Sequence, residues 1–213
     1  WRVAEMNEAL NEVDLRFKDT EYIEKNTPVL SLTKNYGLVL QSTRFIHRVA
    51  IKNLSKYKVV KKGQIVYNPY VIWEGAIHSL KKFDKGVVSP AYLVWKNTNI
   101  SNSEYMDFLL RTPMLIKEYE KFASGVVIRR RSIKKNLFQK IKIPFPPHPE
   151  QERIAFILST VQNAKEKTQN LIKSLEELKK STMKHLFTYG AVGFDRVTNA
   201  KLKETEIGTI PMN

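Results

Sequence analysis

One run of apolar residues, in the last third of the chain, constrains the fold more than any other feature. Ile154, Ile157, Val161, Ala164, Thr168, Leu171, Leu175, Leu178 and Thr182 follow one another in steps of three and four. That spacing places them on one stripe of an α-helix, the a/d seam of a coiled coil. Pro149 suits the first helical position, where its missing N–H would have no partner. Glu150 and Glu152 put negative charge in the first turn, where the helix dipole favours it. Tyr189-Gly190 supplies a stop. The pattern predicts one helix over Pro149–Phe187, about 55 Å long at 1.5 Å per residue. A helix of that length outruns the domain that the rest of the chain can build. Its seam calls for a second helix, from this chain or another, with packing on its own globular domain as the alternative. Thr168 and Thr182 interrupt the seam and are placed to set its register.

Ahead of the helix, Ile143-Pro144-Phe145-Pro146-Pro147-His148 excludes helix and central strand, because proline fixes φ and lacks a donor. It reads as a stiff linker. Residues 1–148 read as a mixed α/β (α+β) domain. Short β-rich runs recur at Val29–Leu32, Gly37–Leu40, Tyr57–Val60, Gln64–Tyr67 and Val87–Trp95, bounded by Gly, Pro, Asn and Lys. Gly63 suits a tight turn between strands. Ser101-Asn102-Ser103-Glu104 offers caps for a helix over Tyr105–Leu110, and Pro113 interrupts that helix or starts the next. The expected organisation is a globular domain over 1–148, a long coiled-coil-forming helix over 149–188 and an extended connector over 189–213.

Charge points to the partner. The 213 residues carry 36 Lys and Arg against 21 Asp and Glu, a net +15. No acid lies between Glu24 and Glu74, a window holding Lys25, Lys34, Arg44, Arg48, Lys52, Lys56, Lys58, Lys61 and Lys62. A second acid-free run extends from Arg129-Arg130-Arg131 to Lys142. Surfaces normally mix signs, so this segregation predicts a one-signed face, whose commonest use is to neutralise phosphate. The chain has 42% hydrophobic residues, enough for a core, and no apolar run near 18 residues, so no membrane span is expected. It lacks Cys, which excludes disulfides and thiolate metal sites and fits a cytoplasmic location.

Within the basic regions, Lys34, Asn35 and Tyr36 form a polar turn between two strands, placed for base contact; Asn can pair with adenine. A plain turn is the alternative. Arg129, Arg130 and Arg131 can fork onto guanine or clamp phosphate, the alternative being a solvated charge run. Arg44 and Arg48 flank Phe45-Ile46-His47 and suit phosphate. Asn68 and Trp73 join the candidate DNA contacts, although aromatics such as Trp73 more often build core. Catalysis finds no support. Asn68-Pro69-Tyr70 lacks the second proline of the amino-methyltransferase motif and has no Gly-rich cofactor loop upstream. His47, His78, His148 and His185 are scattered, so ordinary histidines are expected rather than a metal site. No cofactor is expected.

Five stretches resemble the specificity subunits of Type I restriction-modification systems. Gly63–Asn68, Trp73–Ala76 and Gly86–Val94 resemble the target-recognition domain of that family. Ile141–Ile154, with its Pro146-Pro147-His148-Pro149-Glu150-Gln151, resembles the junction into the family's conserved spacer helix. Glu204–Pro211 is similar to the segment that precedes a new recognition domain. The resemblance implies a DNA-recognition protein that is not itself an enzyme. In complete subunits two recognition domains occur in tandem, their helices pair antiparallel, and each domain reads half of a split target in double-stranded DNA. Methyltransferase (modification) subunits and a restriction subunit assemble around the spacer. One unit is present here, so either a half-length subunit or part of a longer one is expected. A homodimer through Ile154, Ile157, Val161, Leu171, Leu175 and Leu178 would supply the second helix. The other class that the charge allows is an RNA-binding or architectural nucleic-acid-binding protein that dimerises through a coiled coil.

Overall fold

A computed structural model describes residues 1–19, 27–44, 54–124, 131–199, 201–206 and 208–212. The elements run β1 (Arg2–Glu5), α1 (Met6–Ala9), β2 (Leu10–Val13), β3 (Leu30–Thr33), β4 (Gly37–Leu40), α2 (Gln41–Arg44), β5 (Lys58–Lys61), β6 (Ile65–Tyr67), β7 (Ile77–Ser79), β8 (Lys85–Val88) and β9 (Leu93–Asn97). Then follow α3 (Ser103–Leu109), α4 (Pro113–Phe122), α5 (Lys135–Gln139), β10 (Lys142–Phe145), the long α6 (His148–Tyr189), β11 (Leu202–Thr205) and β12 (Gly208–Pro211). The chain divides into two compact units, Trp1–Ser159 and Thr160–Asn213, and α6 crosses the boundary.

The first unit is built on an antiparallel sheet of order β2-β9-β6-β7. Successive side chains of a strand point to opposite faces, and here both faces are buried. Ile65, Tyr67 and Trp95 enter a core with Met6, Tyr105, Leu115, Tyr119 and Phe138. Their neighbours Val66 and Val94 enter a second core with Leu30, Leu32, Leu38, Val60 and Val88, from the β3–β4 and β5–β8 pairs. This explains why Gln64–Tyr67 reads as a nearly continuous apolar run rather than an alternating one. Phe138 sits at the centre of the first core, 4.5 Å from the Tyr67 ring and 5.2 Å from Trp95.

The helix caps expected from sequence are present. Asn102 accepts hydrogen bonds from the backbone N–H groups of Glu104 and Tyr105, and Pro113 occupies the first turn of α4. The Val87–Trp95 run is two strands rather than one, because a turn closed by Tyr92 N–H donating to Ser89 O separates β8 from β9.

Two segments differ from expectation. The proline-rich stretch is not a linker: Lys142–Phe145 pairs antiparallel with Arg2–Glu5. Pro144 is tolerated because this is a two-stranded pair with a free edge. Its carbonyl accepts from Tyr105 Oη at 3.0 Å, so the side of the residue that lacks an N–H faces away from β1. The tail, expected to be extended, carries a β11–β12 hairpin, with Gly208 at φ 114 in its turn.

The start of α6 belongs to the globular fold. Ala155 is 2% exposed and Ile154 packs on the first core. Gln151 is fully buried, and its amide makes three hydrogen bonds. Nε2 donates to Pro146 O and Ile100 O, and Oε1 accepts from Asn102 N–H. The Pro-Glu-Gln motif therefore bolts the helix to the capping loop of α3. At the other end the Gly190 N–H donates to Leu186 O, and a positive φ of 76° ends the helix.

Candidate nucleic-acid interface

The β3–β4 hairpin presents Lys34, Asn35 and Tyr36 at its turn, all exposed. Thr33 Oγ1 accepts from Tyr36 N–H and donates to Gly37 O, which shapes the turn from within. From β7, His78 Nε2 lies 2.9 Å from Lys34 O. A carbonyl only accepts, so Nε2 carries the proton. Burial holds the His78 pKa below the ordinary histidine value, against the opposing pull of the Lys34 carbonyl. A neutral imidazole thus pins the turn to the sheet. Next to it, Asp107 is 2% exposed and binds Arg111 at 2.7 Å, Lys81 at 2.9 Å and the Ser79 N–H. Burial alone would raise its pKa, but these cations and the Ser79 N–H hold the carboxyl below its usual value.

Asn68 follows β6, and its Oδ1 accepts from Tyr70 N–H, an Asx turn. The chain then enters a short 3-10 turn, Ile72–Glu74, which Gly75 closes at φ 89, a conformation that favours glycine. These loops, with the β3–β4 hairpin and the β8–β9 turn, surround a cavity of about 470 Å³. Lys34, Gln41, Asn68, Glu74, Ser89 and Tyr92 are among its lining residues. The structure therefore brings Lys34 and Asn68 together, although 34 positions separate them in sequence.

Trp73 is half-buried against the first core. The Arg131 guanidinium lies 5.5 Å from its ring centroid and donates from Nη2 to Glu120 O. Both side chains contribute to packing in this chain, so the Arg131 side chain is not simply a solvated charge. Arg44 ends α2; Arg48, Arg129 and Arg130 lie outside the described residues.

The basic runs are less one-signed in space than in sequence. Lys58 is buried and paired with Asp14 at 3.3 Å, Lys62 lies 3.6 Å from Asp84, and Lys135 binds Glu12 at 2.7 Å. Acids from other elements reach these lysines, which a linear count cannot see. Sequence reasoning also passed over His78, treated as an ordinary histidine, and Glu74. The one signal for Glu74 was its place as the first acid after an acid-free run.

On α6, Ile157, Val161, Leu171, Leu175 and Leu178 are each 55–63% exposed. Leu158, Ile172 and Leu186 continue the apolar face beside them and are also exposed. Near the helix end the tail is held locally: the His185 ring packs 4.1 Å from Phe194 and its Nε2 is 2.6 Å from Val192 O. Among the described residues, no helix is long and apolar enough to cross a membrane.

Residues 17–177 match the family described as Type I restriction modification DNA specificity domain. This chain belongs to that family. The match takes in the loops around the cavity and most of α6. Among curated proteins of Methanocaldococcus jannaschii, the chain is 28% identical to the Type I restriction enzyme MjaVIII specificity subunit over 162 residues, 74% of this chain and 36% of that protein. It is 34% identical to the putative type I restriction enzyme MjaX specificity subunit over 119 residues, 56% of this chain and 27% of that one. Two solved structures share the fold. The S subunit of a Type-I restriction-modification system from M. genitalium matches with a TM-score of 0.57 at 15% identity, over 88% of this chain and 46% of that one. The HsdS subunit from Thermoanaerobacter tengcongensis matches at 0.53 and 16%, over 89% and 45%. The chain thus spans about a third of the curated relatives and under half of the solved ones.

Proposed function

We propose that this chain is a sequence-specific DNA-recognition unit of a Type I restriction-modification system. It supplies half of a specificity module and performs no chemistry of its own. The observation that carries this reading is the family match over residues 17–177, which embraces both the polar loops and the long helix. In this reading Lys34, Asn35, Tyr36, Asn68 and the arginines at 129–131 contact duplex DNA from the cytoplasmic side of the cell. The helix is the assembly element for methyltransferase and restriction subunits.

The uncovered seam supports a homodimer. Burying one Leu or Ile side chain contributes about 1.5–3 kcal/mol, and five such side chains are half or more exposed on α6. A second copy offers the same stripe, so two-fold pairing covers both and gives two identical recognition domains. Such a dimer reads a palindromic split target. Light scattering at micromolar concentration is expected to give twice the 24.8 kDa of one chain. Fluorescence anisotropy with duplex DNA between 50 and 200 mM salt is expected to give a log–log slope of about −4 to −5, from about −0.9 per neutralised phosphate and about five contacts. A flat salt response would overturn the recognition reading; a persistent monomer would overturn the dimer.

A further inference from the structure

Glu74 has the wrong charge for its surroundings. It is the first acid after Glu24, at the end of a long basic run. Its carboxylate is exposed, and among the described residues no hydrogen bond or ion pair engages it. It lines the cavity of about 470 Å³ beside Lys34 and Asn68. Lys34 Cγ lies 3.9 Å from where a Cβ on Gly75 would sit, so the lysine stem passes the turn that carries Glu74 without pairing with it.

A carboxylate on a DNA-facing surface is repelled by phosphate, so attraction must come from another part of the duplex. In the major groove the hydrogen-bond donors are exocyclic amino groups, cytosine N4 and adenine N6; guanine and thymine present acceptors at the corresponding O6 and O4. A carboxylate only accepts and therefore separates amino from keto bases. Asn68 has complementary chemistry: with Oδ1 engaged by Tyr70 N–H, its two amide N–H groups remain as donors. Lys34 adds a cationic donor.

We propose that Glu74 is a specificity-determining residue that accepts a hydrogen bond from an exocyclic amino group in the major groove. Asn68 and Lys34 donate to acceptors beside it. The proposal rests on the DNA-recognition reading above. The experiment selects bound duplexes from a randomised pool with the wild-type chain, E74Q and E74A. The wild type is expected to hold one position to cytosine or adenine. E74A should relax that position by about five- to a hundredfold, the discrimination typical of a good base contact, and should bind random duplex at least as well, having lost a like charge. Two probes then identify the base: 2-pyrimidinone in place of cytosine and purine in place of adenine each remove only the amino group. One of them should weaken the wild type, and neither should weaken E74A further. If E74A keeps the wild-type preference, or loses affinity uniformly over all sequences with an unchanged melting temperature, the proposal is overturned. A wild-type chain that binds no duplex overturns the recognition reading first, and this proposal with it.

Discussion

The loops around the cavity and the middle of α6 are both exposed, but for opposite reasons. Each loop is tied down from beneath: Lys34 O by His78, Tyr36 N–H by Thr33, Tyr70 N–H by Asn68, and Arg131 by Trp73 and Glu120. Beside the Tyr36 and Tyr70 rings, what they expose is polar, and water satisfies it while the partner is absent. The helix exposes Ile157, Val161, Leu171, Leu175 and Leu178, which water does not satisfy. The first surface is preorganised and can wait for a ligand. The second is the stripe that the proposed dimer would cover. The proposed recognition surface and the proposed assembly surface thus differ in physical character within one chain.

That contrast can be broken at several points. The largest effect is expected on the helix. Changing Leu171 and Leu175 to Lys should abolish self-association, because each substitution gives up about 1.5–3 kcal/mol of burial in each of two copies. The melting of the globular unit should stay unchanged; light scattering and thermal scans read the two outcomes. If α6 instead packs on its own domain, the same variant will lower the melting temperature and leave the mass alone.

On the loop side the arginines are expected to divide. R129A/R130A should weaken duplex binding about tenfold and leave stability nearly intact, since adjacent guanidinium groups are rarely buried without partners and surface substitutions cost under about 0.5 kcal/mol each. R131A removes a guanidinium stacked over Trp73 and hydrogen-bonded to Glu120 O, and should cost about 1–2 kcal/mol of stability. Denaturant unfolding and anisotropy on the same samples separate these effects; equal behaviour of all three would erase the distinction between Arg131 and the two arginines before it.

A smaller effect is expected from pH. His78 and Asp107 both have lowered pKa values in the folded chain. For such groups the unfolded state takes up protons first, so stability falls as pH drops. Loss tied to His78 should begin as pH falls through its unfolded value of 6.5, and loss tied to Asp107 as it falls from 3.8 through its lower folded value. H78Q, whose amide reaches about as far as the Nε2 donor but does not titrate, should flatten the first phase of a melting-temperature profile between pH 7.5 and 5.

The smallest effect is expected in the core. Tyr67 Oη is buried without a hydrogen-bond partner among the described residues. Removing an unsatisfied hydroxyl forfeits no hydrogen bond. Y67F should therefore be neutral or stabilising, within about 1 kcal/mol; a large destabilisation would reveal a partner for the hydroxyl.

Some of this protein was fully legible in its sequence. The a/d spacing from Ile154 to Thr182, the proline at the helix start and Tyr189-Gly190 at its end are local signals, and the helix observed, His148–Tyr189, agrees with them to within two residues at each end. The Asn102 cap, the start of α4 at Pro113 and the β3–β4 hairpin are local too. These elements follow from periodicity and backbone chemistry that no distant contact has to supply. The rest depended on contacts between distant parts of the chain. Arg2–Glu5 and Lys142–Phe145 are weak strands singly and become strands by pairing across the length of the domain. Lys58, Lys62 and Lys135 read as free cations until the fold brings Asp14, Asp84 and Glu12 to them. The cavity exists because three loops far apart in sequence converge on one end of the sheet, so Glu74 beside Asn68 and Lys34 could be seen only in three dimensions. Local chemistry settles what each segment can become. Long-range burial and charge pairing decide which segments meet, and those depend on the whole chain at once.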